Sequence, residues 1–362
     1  MTGRIPMRED LRGHGAYGAP QIDVPVRLNT NENPFQPPRD FIEDLGAAVV
    51  EVAKTLNRYP DRDATRLRAA LAGYVSREAA TPDIDASMVW AANGSNEIMQ
   101  QLLQAFGGPG RTALTWTPTY SMYAEYARNT FTEFVTVPRA DDHTIDVERA
   151  CETVRALAPD VVFIASPNNP TGTAVGLDVV RAIADAFDGM VIVDEAYAEF
   201  RHPGVPSAVS LVHHSPRIVV TRTMSKAFGF AGARLGYLVA DPEVVEVLRV
   251  VRLPYHLSSL TQAVALTALA HSGELAEQVR LLRDERDALV VWFGEHGFDA
   301  APSDANFVMF GTFDDRHAVW QALVDEGVLV REVGTPGHLR VSIGTPAEIE
   351  AFKTALLKVG AR

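Results

Sequence analysis

At 362 residues the chain exceeds what one ordinary hydrophobic core organises, so two domains are the starting expectation. Apolar residues make up 47% and charged residues 22%, the balance of a soluble globular protein, and the apolar runs are too short to span a bilayer. The formal net charge of −13, with no stripe of Lys and Arg, argues against nucleic acid as a partner, because neutralising phosphates needs clustered cations.

A single cysteine, Cys151, excludes an internal disulfide framework and agrees with a reducing, cytoplasmic setting. The opening MTGRIPMREDLRG has charges but no apolar stretch of the secretory-signal kind. Residues 1–38 are rich in Gly, Pro and Asn and are expected to form an extended arm. Over 39–257, apolar strand-like runs alternate with helical patterns, which predicts an α/β domain with a mostly parallel sheet covered by helices. Its strands are expected at 88–92, 112–116, 161–165, 190–193, 218–221 and 235–239. Residues 258–362 open with a long helical stretch, 261–296, broken near Gly273. Strand-like runs at 306–310, 328–331 and 339–343 follow, so this part reads as a smaller α+β domain.

Four of the predicted strands end in polar clusters, on the edge of a parallel sheet where ligands bind. The first strand runs into Asn93-Gly94-Ser95-Asn96 and then a helix, whose first N–H groups and dipole suit an anion. Alone, Ser95 reads equally well as an N-cap. The second leads into Ser166-Pro167-Asn168-Asn169-Pro170-Thr171-Gly172, a rigid loop presenting Asn169 as a hydrogen-bonding group. The third ends in Asp194-Glu195-Ala196-Tyr197. A carboxylate at the end of an apolar strand needs a cationic partner, and a protonated pyridine nitrogen or a structural Arg would each serve. The fourth precedes Thr223-Met224-Ser225-Lys226, with Arg234 eight residues beyond. A lysine among apolar neighbours has a lowered pKa and becomes a nucleophile toward an aldehyde, while Thr223, Ser225 and Arg234 offer donors to a phosphate.

These segments, with LNTNENP, RYPDRD, RLPYHLSS, SDANFVMFG and LRVSIGT, resemble the histidinol-phosphate aminotransferase family of fold-type I pyridoxal-phosphate enzymes, in family order over nearly the whole chain. The pattern looks most similar to actinobacterial members. The resemblance implies pyridoxal 5'-phosphate as cofactor, no metal, and Lys226 as the Schiff-base lysine that also shuttles the substrate proton. It implies Asp194 on the pyridinium nitrogen, Tyr197 and Asn169 on the ring oxygen, and Tyr120 stacked on the ring. Gly94, Ser95, Asn96, Thr223, Ser225 and Arg234 would hold the cofactor phosphate. Tyr59 would reach it from a neighbouring subunit, which implies a homodimer with shared active sites and an arm crossing to the partner. Arg340 would anchor the acidic end of the substrate, with Arg331, Tyr17 and Asn169 completing a phosphate site. The implied reaction is ping-pong amino transfer between L-histidinol phosphate and 2-oxoglutarate. An aromatic amino-acid aminotransferase and a phospho-amino-acid decarboxylase of the same fold are the rivals. His256 is expected to be a site-wall or structural residue without a proton-transfer role.

Overall fold

The computed structural model describes residues 5–360. Its centre is a seven-stranded mixed sheet built, in chain order, from β1 (Val89–Ala92), β2 (Thr112–Thr117), β3 (Glu133–Pro138), β4 (Val161–Ala165), β5 (Met190–Asp194), β6 (Ile218–Thr223) and β7 (Gly236–Val239). The strands lie side by side in the order β1-β7-β6-β5-β4-β2-β3. Only β7 runs antiparallel, against both of its neighbours. β4, β5 and β6 are buried along their whole length, as expected of near-continuous Val/Ile runs with helices on both faces. Two apolar clusters form, one on each face: Val162, Ile164, Val191 and Val193 join one, and Val161, Phe163, Ile192 and Val219 the other.

The sequence pattern missed β3, because its edge position leaves it partly exposed and its polar alternation (EFVTVP) lacks the apolar run of the interior strands. Helix Ser95–Phe106 begins directly beyond β1, and its first turn lies against the start of β7. A Cβ at Gly236 would stand 2.3 Å from the Ser95 nitrogen, so glycine is what admits this approach.

Beyond helices Ser259–Ala270 and Ser272–Glu295, a four-stranded antiparallel sheet pairs Arg331–Glu332, His338–Ser342, Phe307–Gly311 and Asp299–Ala300, in that order. The helical stretch breaks at His271, whose ring is held by Asp44 and Glu274, and Gly273 lies within the second helix. The run expected as one strand at 328–331 is divided between two sheets. Val328–Leu329 pairs in parallel with Val26–Arg27 of the arm, and Arg331–Glu332 pairs with His338–Ser342. The Trp320 indole N–H takes the Val330 carbonyl at 2.9 Å, and the chain changes sheets at that residue. The arm therefore packs on its own chain: Leu28 donates to and accepts from backbone groups of Leu329 and Ser342.

Candidate active site

The C-terminal ends of β1, β4, β5 and β6 converge with the arm and with the 331–342 hairpin around one cavity of about 250 Å³. Of the residues singled out in the sequence, Tyr17, Ser95, Asn96, Tyr120, Asn169, Asp194, Tyr197, Thr223, Ser225, Lys226, Arg234, Arg331 and Arg340 line it. A larger hollow of about 760 Å³ adjoins it along residues 20–34, but Lys226, Asp194, Arg234, Arg331 and Arg340 are absent from its walls. The smaller cavity holds the chemistry.

Lys226 follows β6, and its Nζ donates to the Thr30 carbonyl at 2.8 Å. Burial, reinforced by the Arg340 charge, lowers its pKa to about 8, so a usable fraction is neutral amine near neutral pH. Asp194 closes β5 and is buried. Its carboxylate accepts from the Tyr123 hydroxyl at 2.9 Å and from Thr221 Oγ1 at 3.2 Å. Burial outweighs these two donors and raises its pKa to about 6. Among the described residues no Lys or Arg pairs with it, so a cationic ring nitrogen would supply the missing countercharge. The Tyr197 hydroxyl accepts from Asn31 Nδ2 at 3.0 Å, and its ring packs edge-on against Phe307.

The residues expected to hold an anion gather where the first helix turn meets the loop after β6. Gly94 does not itself line the cavity. It has φ +85°, and a Cβ there would stand 2.9 Å from Arg234 Nη2, so it keeps the space beside that guanidinium open. The Ser225 N–H donates to Thr223 Oγ1, which in turn faces the Leu235 carbonyl. At the opposite end, Arg331 and Arg340 are directly opposed in the antiparallel hairpin. Arg340 is buried, and donates to Asn169 Oδ1 at 2.7 Å and to the Asn29 carbonyl at 2.8 Å. Its Nε and the Arg331 Nη1 are buried without a hydrogen-bond partner. Burial brings the Arg340 pKa down to about 10, and Arg331 contributes in the same direction.

One expectation from the sequence needs correction. Tyr17 does not leave its chain: it lines this cavity, and its hydroxyl meets Ser121 Oγ at 2.9 Å. Tyr59 lies outside its own chain's cavity, 80% exposed, with its ring stacked on Tyr255 at 4.5 Å. His256 packs flat on Trp90 and bonds the Ala91 carbonyl, outside the cavity wall. Sequence reasoning assigned no role to Asn29, Thr30, Asn31 or Glu32 of LNTNENP, all of which line the cavity. It also missed Tyr123, whose signal was its place one helical turn after Tyr120.

Residues 23–356 match the family model of class I and II aminotransferases. The chain belongs to that family. It is 58% identical over 358 residues to the histidinol-phosphate aminotransferase of Thermobifida fusca, covering 99% of this chain and 96% of the relative. It is 52% identical over 356 residues to that of Corynebacterium glutamicum, covering 98% and 96%. Among solved structures, the histidinol-phosphate aminotransferase from Sinorhizobium meliloti in complex with pyridoxal-5'-phosphate superposes with a TM-score of 0.82 at 26% identity, covering 93% of this chain and 91% of that one. The family's fold-type I architecture is the fold described above.

Proposed function

We propose that this chain is a pyridoxal-phosphate-dependent aminotransferase moving an amino group between L-histidinol phosphate and 2-oxoglutarate, by a ping-pong route within histidine biosynthesis. The relatives above carry that name over nearly the full length of both chains. The observation that carries the substrate is the pair Arg331 and Arg340, opposed across one hairpin, each with a buried nitrogen lacking a partner. A phosphate monoester with close to two charges suits two guanidinium groups, whereas one carboxylate needs only one.

When bound, the cofactor supplies an aldehyde for an amine and a ring that draws electrons from the substrate α-carbon. The residues present fit it. Lys226 Nζ would be the amine that joins that aldehyde and the base that carries the proton taken from the substrate α-carbon. Asp194 holds the ring nitrogen protonated. Tyr197 and the amide NH2 of Asn169 would donate to the ring oxygen, and Tyr120 would cover the ring face. Ser95, Asn96, Thr223, Ser225 and Arg234 hold the cofactor phosphate, with Gly94 keeping room for Arg234. Arg331, Arg340, Asn169 and Tyr17 hold the substrate's acidic end.

The same reading makes the enzyme a cytoplasmic homodimer in which Tyr59 serves the neighbouring site. Its exposure, beside exposed Val250, Leu253 and Tyr255, supports a second copy of the chain covering that surface. No helix among the described residues is long and apolar enough to cross a membrane. The chain then divides into an arm (1–38), a large domain (39–257) and a small domain (258–362). Steady-state turnover of L-histidinol phosphate against L-phenylalanine, with 2-oxoglutarate as acceptor, tests the substrate. A higher kcat/KM for phenylalanine would move the aromatic aminotransferase reading ahead.

A further inference from the structure

Six charged side chains line the cavity: Glu32, Asp194, Lys226, Arg234, Arg331 and Arg340. Five have work in the reading above. Glu32 has none, and it is the one carboxylate there besides the buried Asp194. Its chain neighbours tie it to the reacting groups. The Thr30 carbonyl accepts from Lys226 Nζ, and Asn31 Nδ2 donates to the Tyr197 hydroxyl. Asn31 has φ +55°, and its N–H is fixed to Ser342 Oγ at 2.8 Å, so the turn presenting Glu32 is anchored on both domains' elements. Glu32 is exposed; its Oε2 accepts from Thr30 Oγ1 at 2.8 Å, and Oε1 has no protein donor among the described residues.

We infer that Glu32 recognises the imidazole ring of the amino substrate, accepting a ring N–H at the cavity wall. The inference rests on the histidinol-phosphate reading. With the amino group directed to Lys226 and the phosphate to the arginine pair, the ring is the substrate's remaining polar feature. Whether neutral or protonated, imidazole carries at least one N–H for a carboxylate. A benzene ring carries none, and a site built around a hydrogen bond discriminates against the analogue that lacks it. The second substrate pair behaves oppositely: the side-chain carboxylate of glutamate is repelled by Glu32 if it approaches the same wall.

The test follows single-turnover half-reactions of the holoenzyme through the cofactor absorbance, using L-histidinol phosphate, L-phenylalaninol phosphate and L-glutamate. In Glu32→Gln, the apparent second-order constant for histidinol phosphate should fall roughly threefold to fivefold, as for losing a charged hydrogen-bond acceptor on an exposed side chain. Phenylalaninol phosphate should be nearly unaffected, and glutamate unaffected or faster. An equal fall for all three would mean that Glu32 acts only by holding Thr30 and Lys226, and the inference fails. No change for any of them also overturns it. If the wild-type enzyme leaves histidinol phosphate unreacted, the substrate reading itself is wrong, an outcome distinct from both. Thr30→Val removes the hydroxyl but keeps the carbonyl that Lys226 uses, so it should produce a smaller loss with the same substrate ranking.

Discussion

Replacing Arg331 by Ala separates the phosphate-specific reading from its aromatic rival. Both terminal nitrogens of Arg340 already donate, to Asn169 and to the Asn29 carbonyl, and its Nε is the buried nitrogen left without a partner. A dianion arriving there must draw much of its compensation from Arg331, whose buried Nη1 is also unpartnered. Losing one charged hydrogen-bond partner in a partly desolvated site costs about 2 kcal/mol, roughly thirtyfold in kcat/KM. The change should fall on L-histidinol phosphate and touch L-phenylalanine much less, because a single α-carboxylate can rely on Arg340. Folding should not suffer: Arg331 forms no ion pair with a carboxylate among the described residues, and it stands beside a like charge that lowers the Arg340 pKa. Steady-state kinetics with both donors, alongside a melting curve, measures the effect. An equal loss for both donors would make Arg331 structural and remove the main physical support for the phosphate site.

Two further outcomes concern the lysine and the subunit arrangement. Borohydride reduction of the holoenzyme should fix the cofactor on the peptide containing Lys226, and Lys226→Ala should abolish transamination; label on Lys54 or any other lysine would end the assignment. Mixing inactive Lys226→Ala with an inactive Tyr59→Ala protein should restore part of the activity through hybrid dimers, whereas Lys226→Ala with a Tyr17 variant should not, since Tyr17 lines the cavity of its own chain. No recovery with Tyr59, despite proven subunit exchange, would mean that each site is built from one chain.

What the sequence disclosed follows from which interactions are local. β4, β5 and β6 carry their burial in their composition, and the polar residues just beyond them are positioned by the end of the strand itself. Lys226, Asp194 and Asn169 could therefore be placed from pattern alone. The β3 edge could not, because half-exposed parallel pairing leaves no apolar run to read. Val328 and Arg331 look like one strand, and only the Trp320 indole on the Val330 carbonyl reveals the change of sheet. The LNTNENP segment was visible as a motif, but its part in the site is nonlocal. The backbone oxygen of Thr30 meets Lys226 across 196 positions, and nothing in a linear pattern encodes that. Tyr123 shows the intermediate case: its spacing from Tyr120 was legible, yet its hydrogen bond to Asp194 required the fold.

Burial acts on Asp194 and Lys226 in the same sense, favouring the neutral form of each, and this makes the cofactor a stabiliser as well as a reagent. The folded-state pKa of Asp194 rises from 3.8 to about 6. A raised acid contributes stability that is fully present below the unfolded value and is lost as pH rises through the folded one. Above about pH 6, the protein without cofactor therefore carries an ionised carboxylate that burial disfavours. The displacement of about two pH units corresponds to at most about 3 kcal/mol. Lys226 is lowered from 10.5 to about 8, so its contribution is present above the unfolded value and is lost as pH falls through about 8. Near pH 7 both penalties apply. A protonated ring nitrogen at Asp194 relieves the first, and conversion of the Lys226 amine on binding relieves the second. Asp194→Asn removes the first penalty without the cofactor; its one oxygen serves Tyr123 or Thr221, and its NH2 then donates to the other hydroxyl. The cofactor-free variant should therefore melt a few degrees above cofactor-free wild type at pH 7.5, since each kcal/mol moves a domain of this size by roughly two degrees. The gain should fall to about half at pH 5 and vanish only below about pH 4, where the unfolded carboxyl is protonated too, and the variant should gain less than wild type from added cofactor. Thermal melts at the two pH values, with and without pyridoxal phosphate, decide it. A cofactor-free variant no more stable than wild type at pH 7.5 would show that Tyr123 and Thr221 already compensate the charge, and that Asp194 does not wait for a cation.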